Sequence, residues 1–109
     1  MRQLKSRGLR VVLVGQGPSF EFANPADYVY RVRRDRARAK DSARINRELR
    51  ALAGYDVFFD PNEWLCPGGG CFLVERGEFV YMDGGHYSSY GSRRLAPDLL
   101  KAMAIAVPP

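Results

Sequence analysis

Apolar and polar positions fall into several distinct rhythms along this chain. Residues 9–14, LRVVLV, form a β-branched run without polar alternation, the pattern of a strand buried on both faces of a parallel sheet. Gly15-Gln16-Gly17-Pro18 ends it. The basic residues 2–7, followed by Gly8, predict the last turn of a helix closed by a glycine, so the chain is expected to continue something longer. Residues 18–30 show no period, and Asn24-Pro25 marks a turn, which predicts a loop anchored by Phe20, Phe22, Tyr28 and Tyr30. Over residues 34–53, Ala39, Ile45, Leu49 and Leu52 fall near helical spacing and Gly54 follows as a stop, predicting a helix. Residues 56–59, DVFF, read as a second short buried strand, closed by Asp60-Pro61-Asn62. A helix between two apolar strands is a βαβ unit, which implies a parallel sheet with a right-handed crossover and an α/β fold.

Further along, Glu63-Trp64-Leu65 leads into Cys66-Pro67-Gly68-Gly69-Gly70-Cys71, a proline-glycine loop bracketed by the only two cysteines. Residues 72–81 predict two short strands around a turn at Arg76-Gly77. A final helix is expected from Ser88 or Ser89, either of which can cap it, to about Ala106, with Leu95, Leu99, Leu100 and Met103 on one face. Pro97 lies inside that span and predicts a kink or restart.

Composition narrows the class. With 109 residues the chain is one domain at most, and 46% apolar with 27% charged residues excludes wholesale disorder and collagen-like or coiled-coil architectures. No apolar run approaches the roughly 20 residues of a membrane span, and residues 1–7 lack the apolar core of a signal peptide. The net charge of +5 raises the question of a nucleic-acid partner. Its excess sits in residues 31–50, where nine basic residues face three acids. No aromatics interleave with them in the sequence and no nucleic-acid signature accompanies them. The segment therefore reads as a solvated helix face, with a binding module for anionic polymer or nucleic acid as the alternative function.

Candidate chemistry centres on Asp83 and His86, the only histidine, within YMDGGHYS. A histidine acting as general base needs a carboxylate on Nδ1 to fix its tautomer and stabilise the imidazolium. A spacing of three across Gly84-Gly85 permits that contact, with the glycines free to adopt positive φ. The pair follows an apolar strand and precedes a helix, where the ligand sites of α/β folds collect. No local nucleophile completes a relay. Ser88 and Ser89 lie too close to His86 and suit helix capping, and Ser6, Ser19 and Ser42 lack a strand-to-helix elbow. Cys66 and Cys71 are compatible with a small disulfide loop or with part of a metal site.

Taken in order, RVVLVGQGPSFEF, INRELRALA, DVFFDPNEWLCPGGGC and FVYMDGGHYSSYGSRRLAPDLL resemble the C-terminal half of an SGNH domain. The likeness covers residues 9–103 and is closest to the SGNH domains appended to family 3 membrane acyltransferases, which O-acetylate bacterial surface polysaccharides and peptidoglycan. It implies a partial three-layer αβα, flavodoxin-like fold whose N-terminal half is missing. Asp83 and His86 match the family's Asp-x-x-His block, histidine as base and aspartate as its orienting partner. Cys66 and Cys71 match a cysteine pair that bonds outside the cytoplasm, and Ser88 and Gly91 match the start of the closing helix. Tyr87 departs from the leucine that often follows the histidine. The Gly-Asp-Ser block with the nucleophile, and the glycine and asparagine blocks of the oxyanion hole, are expected upstream, so these residues alone are expected to be inactive. The resemblance further implies an acetylated or acceptor glycan as substrate, an upstream membrane acyltransferase domain and an extracytoplasmic location. No metal, organic cofactor or nucleic acid is expected.

Overall fold

The structure, a computed structural model, describes residue 3 and residues 6–106, with the backbone alone for residues 105 and 106. Residues 2, 4 and 5 of the expected N-terminal helical turn lie outside the described residues; Gly8 follows with φ 78°. Strand β1 (Val12–Val14) pairs in parallel with β3 (Val57–Phe59), in the register Val12 to Val57, Leu13 to Phe58 and Val14 to Phe59. This is the α/β arrangement expected from the two apolar runs. Asp56 pins the start of the pair: its Oδ2 accepts from Val11 N at 2.7 Å, and its own N donates to Val11 O at 2.8 Å. Burial of β1 on both faces is not observed. Leu9 is 51% and Val14 47% exposed, because among the described residues β1 has β3 as its single neighbour.

The segment between these strands departs most from the sequence reading. In place of a loop through residue 30, helix α1 spans Pro25–Val32. Asn24 caps it by accepting from Asp27 N, Pro25 fills the first turn where no N–H is required, and Arg33 ends it in the left-handed region at φ 58°. Tyr30 is not a loop anchor but 81% exposed. The helix expected over residues 34–53 is confined to α2, Ser42–Arg50. Ahead of it, strand β2 (Arg36–Ala37) pairs antiparallel with β4 (Cys71–Phe72). The physical reason is the local period. Residues 34–40 read RDRARAK, and Ala37 and Ala39 turn toward the core while the cations between them stay exposed, the two-residue repeat of an extended chain. Asp41, at φ 59°, then turns the chain into α2.

The face that α2 buries is polar: Ser42 and Asn46 are each 3% exposed, Ile45 and Leu49 are half-buried, and Leu52 lies outside the helix and exposed. Arg50 stacks over Phe58 at 4.5 Å, on the side of the sheet away from the core that holds Phe59. Alternate strand residues point to opposite faces, so β3 is covered on both. After β3, Asp60 caps a short helix α3 (Pro61–Leu65), and a 3-10 turn (Pro67–Gly69) lies within the disulfide Cys66–Cys71.

The hairpin read around Arg76-Gly77 is present as β5 (Val74–Glu75) and β6 (Glu78–Phe79). Arg76 and Gly77 both have positive φ, as a two-residue turn matching strand twist requires. Helix α4 (Ser89–Ala106) runs through Pro97 without the restart expected there. Leu95, Leu99 and Ala102 pack into the core, whereas Leu100 is 62% and Met103 47% exposed. At about 100° per residue Leu100 stands roughly 140° around the helix from Leu95, so the four residues expected on one face divide between two. The core joins these parts through Phe20, Phe59, Leu65, Leu73, Val80, Tyr81 and Leu95.

Candidate active site

Asp83 and His86 occupy a loop closed like a small hairpin. Tyr81 and Tyr87 form an antiparallel bridge, and Met82 N donates to His86 O at 3.0 Å. Within it, Asp83 Oδ1 accepts from Gly85 N and His86 N, each at 2.8 Å, so the carboxylate folds the backbone around itself. The same carboxylate faces the imidazole, with His86 Nδ1 2.9 Å from Oδ1 and 3.0 Å from Oδ2. The Gly85 N–H first, and the His86 ring second, hold the Asp83 carboxyl below the usual aspartate range. With Nδ1–H given to the carboxylate, Nε2 carries the lone pair. The imidazole is 77% exposed, and Asp83 is its only hydrogen-bond or ion-pair partner among the described residues.

The glycines serve another purpose than the one their sequence suggests, since neither has positive φ. Gly84 is needed for close approach: a Cβ there would lie 2.3 Å from Phe22 O and 3.0 Å from Phe20 O. Phe20 N donates to Gly84 O at 2.7 Å, so the strap holding Phe20 and Phe22 supports the loop from behind. Phe22 stacks between Phe20 and Tyr28, at 4.9 and 4.6 Å, which stiffens that strap. Gly85 has nothing within reach of a Cβ.

The nearest serine hydroxyl in sequence is committed elsewhere. Ser88 Oγ donates to Phe79 O and accepts from Gly91 N at 3.0 Å, so it caps α4. Gly91 fits because a Cβ there would collide with Val80 O. Cys66 and Cys71 are joined to each other, which removes both thiols as metal ligands. Among the described residues no group of three or more histidine, cysteine, aspartate or glutamate side chains is placed to hold a metal ion.

Two polar features were not found in the sequence. Asn46 ties the carboxyl ends of both parallel strands together. Its Oδ1 accepts from Gln16 N at 2.6 Å, and its Nδ2 donates to Gln16 O at 3.0 Å and Asp60 Oδ1 at 2.9 Å. The available signal was a polar residue at helical spacing beside Ile45 and Leu49. Beneath the histidine loop, the Tyr81 and Tyr87 hydroxyls are buried with no hydrogen-bond partner among the described residues. Burial, reinforced by the Asp60 carboxylate, pushes the Tyr87 phenol up to about 12. A Cβ at Gly17 would overlap that hydroxyl.

The arrangement can take one proton from an approaching hydroxyl at Nε2 and hold the resulting imidazolium against a fixed carboxylate. A family model described as SGNH domain (fused to AT3 domains) matches residues 1–101. No curated protein and no solved structure matches the chain.

Proposed function

Because the chain belongs to the family of SGNH domains fused to AT3 domains, we propose that His86 is the general base of an acyl-ester site and Asp83 the carboxylate that orients it. The serine of that site is supplied by polypeptide outside these 109 residues. The observation that carries this reading is the geometry of the pair: Nδ1 is held at 2.9 Å by a carboxylate that two backbone N–H groups fix, and the imidazole is exposed. His86 Nε2 accepts the serine proton as the serine oxygen attacks an acetyl carbonyl. The imidazolium then returns that proton to the departing sugar oxygen. In the second half, a sugar hydroxyl or water loses its proton to Nε2 and takes the acetyl group, restoring the serine. Asp83 keeps the ring in the tautomer that both halves use. The substrate in this reading is an O-acetyl ester of a bacterial surface glycan, and the partner is the membrane acyltransferase domain. The Cys66–Cys71 bond supports an extracytoplasmic site, since such bonds persist in oxidising compartments.

The test joins this chain to the polypeptide encoded upstream of it and follows p-nitrophenyl acetate turnover. His86→Ala should lower turnover by on the order of ten-thousand-fold or more. Equal rates with and without the imidazole would sink the assignment.

A further inference from the structure

The sequence reading left the basic segment as one face of a helix, and the structure makes it a row. Arg36 and Arg38 alternate with Ala37 and Ala39, which pack toward the core, so the two arginines leave the opposite side of the chain, and the exposed Arg34 and Lys40 continue the cationic run beyond them at either end. The row is fixed in place by its backbone. Asp35 O accepts from Leu73 N at 2.7 Å, β2 pairs with β4, and Lys40 N donates to Ser19 O at 2.8 Å. Arg36 is held further by Pro67 O and Gly70 O, at 3.3 and 3.4 Å, and by stacking at 4.4 Å over Phe72. Its charge stays uncancelled, because both oxygens belong to neutral peptide groups. No carboxylate among the described residues pairs with Arg33, Arg34, Arg36, Arg38 or Lys40. Asp35 and Glu21 are the acids that line the hollows beside the row.

Two adjoining hollows run along it. One, of about 570 Å³, is lined by Arg33, Arg34, Arg36 and Arg38 with Tyr28. The other, of about 410 Å³, continues from Tyr28 and Arg38 to Lys40 and to Phe20 and Phe22. Phe20 is also the residue whose N–H holds Gly84 in the histidine loop. The row and the loop are thus attached to the same strap.

We propose that residues 34–40 form a docking row for a linear anionic glycan bearing carboxylate or phosphate groups, whose acetyl ester is presented to His86. This deepens the reading of His86 given above and rests on it. An extended row of fixed, unpaired cations beside an elongated hollow suits a polymer with charges repeated along its length more than a single small anion. A single-stranded nucleic acid fits less well, since its sequence-tolerant binding relies on aromatic faces for base stacking. Here Phe20 is buried and Phe22 is already stacked against both Phe20 and Tyr28.

The test measures binding of the full chain to fluorescently labelled polygalacturonate, to a phosphomannan and to an oligothymidylate 20-mer over a range of salt. The triple variant Arg34→Gln/Arg38→Gln/Lys40→Gln should bind the preferred glycan polymer at least tenfold more weakly, with a salt slope lower by about two. Removing as many charges elsewhere, with Arg44→Gln/Arg47→Gln/Lys101→Gln, should cost less than threefold. Lysine in place of both arginines should retain binding, which separates lost charge from lost fold. Whichever glycan polymer binds more tightly identifies the anion as carboxylate or phosphate. Equal losses in the two triple variants, no binding of either glycan polymer, or preference for the oligothymidylate would each overturn the proposal. Binding by the row variants and ester turnover by His86→Ala are separate readouts, so failure of the row and failure of the imidazole are distinguished.

Discussion

The histidine loop and the basic row are both short, exposed and irregular, and both lean on the strap that carries Phe20 and Phe22. In the loop, polar groups are spent on one another. A single carboxylate oxygen accepts two backbone N–H groups and faces the ring, and what remains facing outward is one nitrogen. In the row the backbone is just as firmly tied, but apart from Arg36, which rests on two carbonyls and a ring, the cationic side chains meet no hydrogen-bond or ion-pair partner among the described residues. The contrast teaches how to tell order from occupation in a surface segment. Internal pairing isolates a single reactive atom, whereas fixed charge without a partner leaves a surface that solvent alone covers. A solvated arginine on a mobile stem tolerates that state at little cost, so it is the fixed backbone under the row, rather than its arginine content, that makes it unusual.

The largest expected effect breaks the loop from behind. Gly84→Ala places a methyl group against two carbonyl oxygens of the strap, and should cost about 2 kcal/mol, or roughly 10 °C in Tm for a domain of this size. Gly85→Ala, one residue away with open space around its Cα, should change stability by less than about 0.5 kcal/mol. Similar melting temperatures for the two would show that the loop does not rest on the strap.

A smaller, local effect is expected from the carboxylate. Because the Asp83 carboxyl is held below its ordinary range in the folded chain, the order it gives the loop is complete above the unfolded aspartate pKa and is lost as pH falls through the lower, folded one. Protection of the Gly85 and His86 amides, measured relative to exchange of the unfolded chain at the same pH, should fall through that acid window and not at neutral pH. Asp83→Asn should remove the preference for the Nδ1–H tautomer, seen in the imidazole nitrogen shifts, at every pH where the ring is neutral. Retention of both features in the variant would dissociate the ring from its neighbour.

The smallest effect is the most telling for the row. Arg34→Gln and Arg38→Gln should each leave the denaturation midpoint within the equivalent of about 0.5 kcal/mol, because neither guanidinium holds the fold. A loss much beyond that would mean that these charges have a structural partner, and the contrast with the loop would fail.

How legible these regions were follows from the period each one obeys. The parallel pair, the Arg76-Gly77 hairpin and the Ser88 cap were readable because apolar runs and turn residues each have one local meaning. The basic stretch was misread because Ala39 was set in a helical series with Ile45, Leu49 and Leu52, while its two-residue spacing from Ala37 fits only an extended chain. Strict alternation with arginine was the better guide. Helix α1 was readable as well: Asn24 followed by Pro25 and Asp27 is a helix start, although Asn-Pro also serves in turns. The proximity of Asp83 to His86 was legible from spacing. The reason for Gly84 was not, since the carbonyls it accommodates come from residues more than sixty positions earlier. Asn46 was hidden for the same reason: nothing local to α2 announces that two distant strand ends converge on it.

That convergence has a mechanical consequence. One carboxamide measures the gap between the chain leaving β1 and the chain leaving β3, so the two exits behave as jaws on a common spacer. Loops of other lengths or compositions grafted onto either exit would start from the same separation. The rim of the sheet can thereby be rebuilt without resetting its aperture.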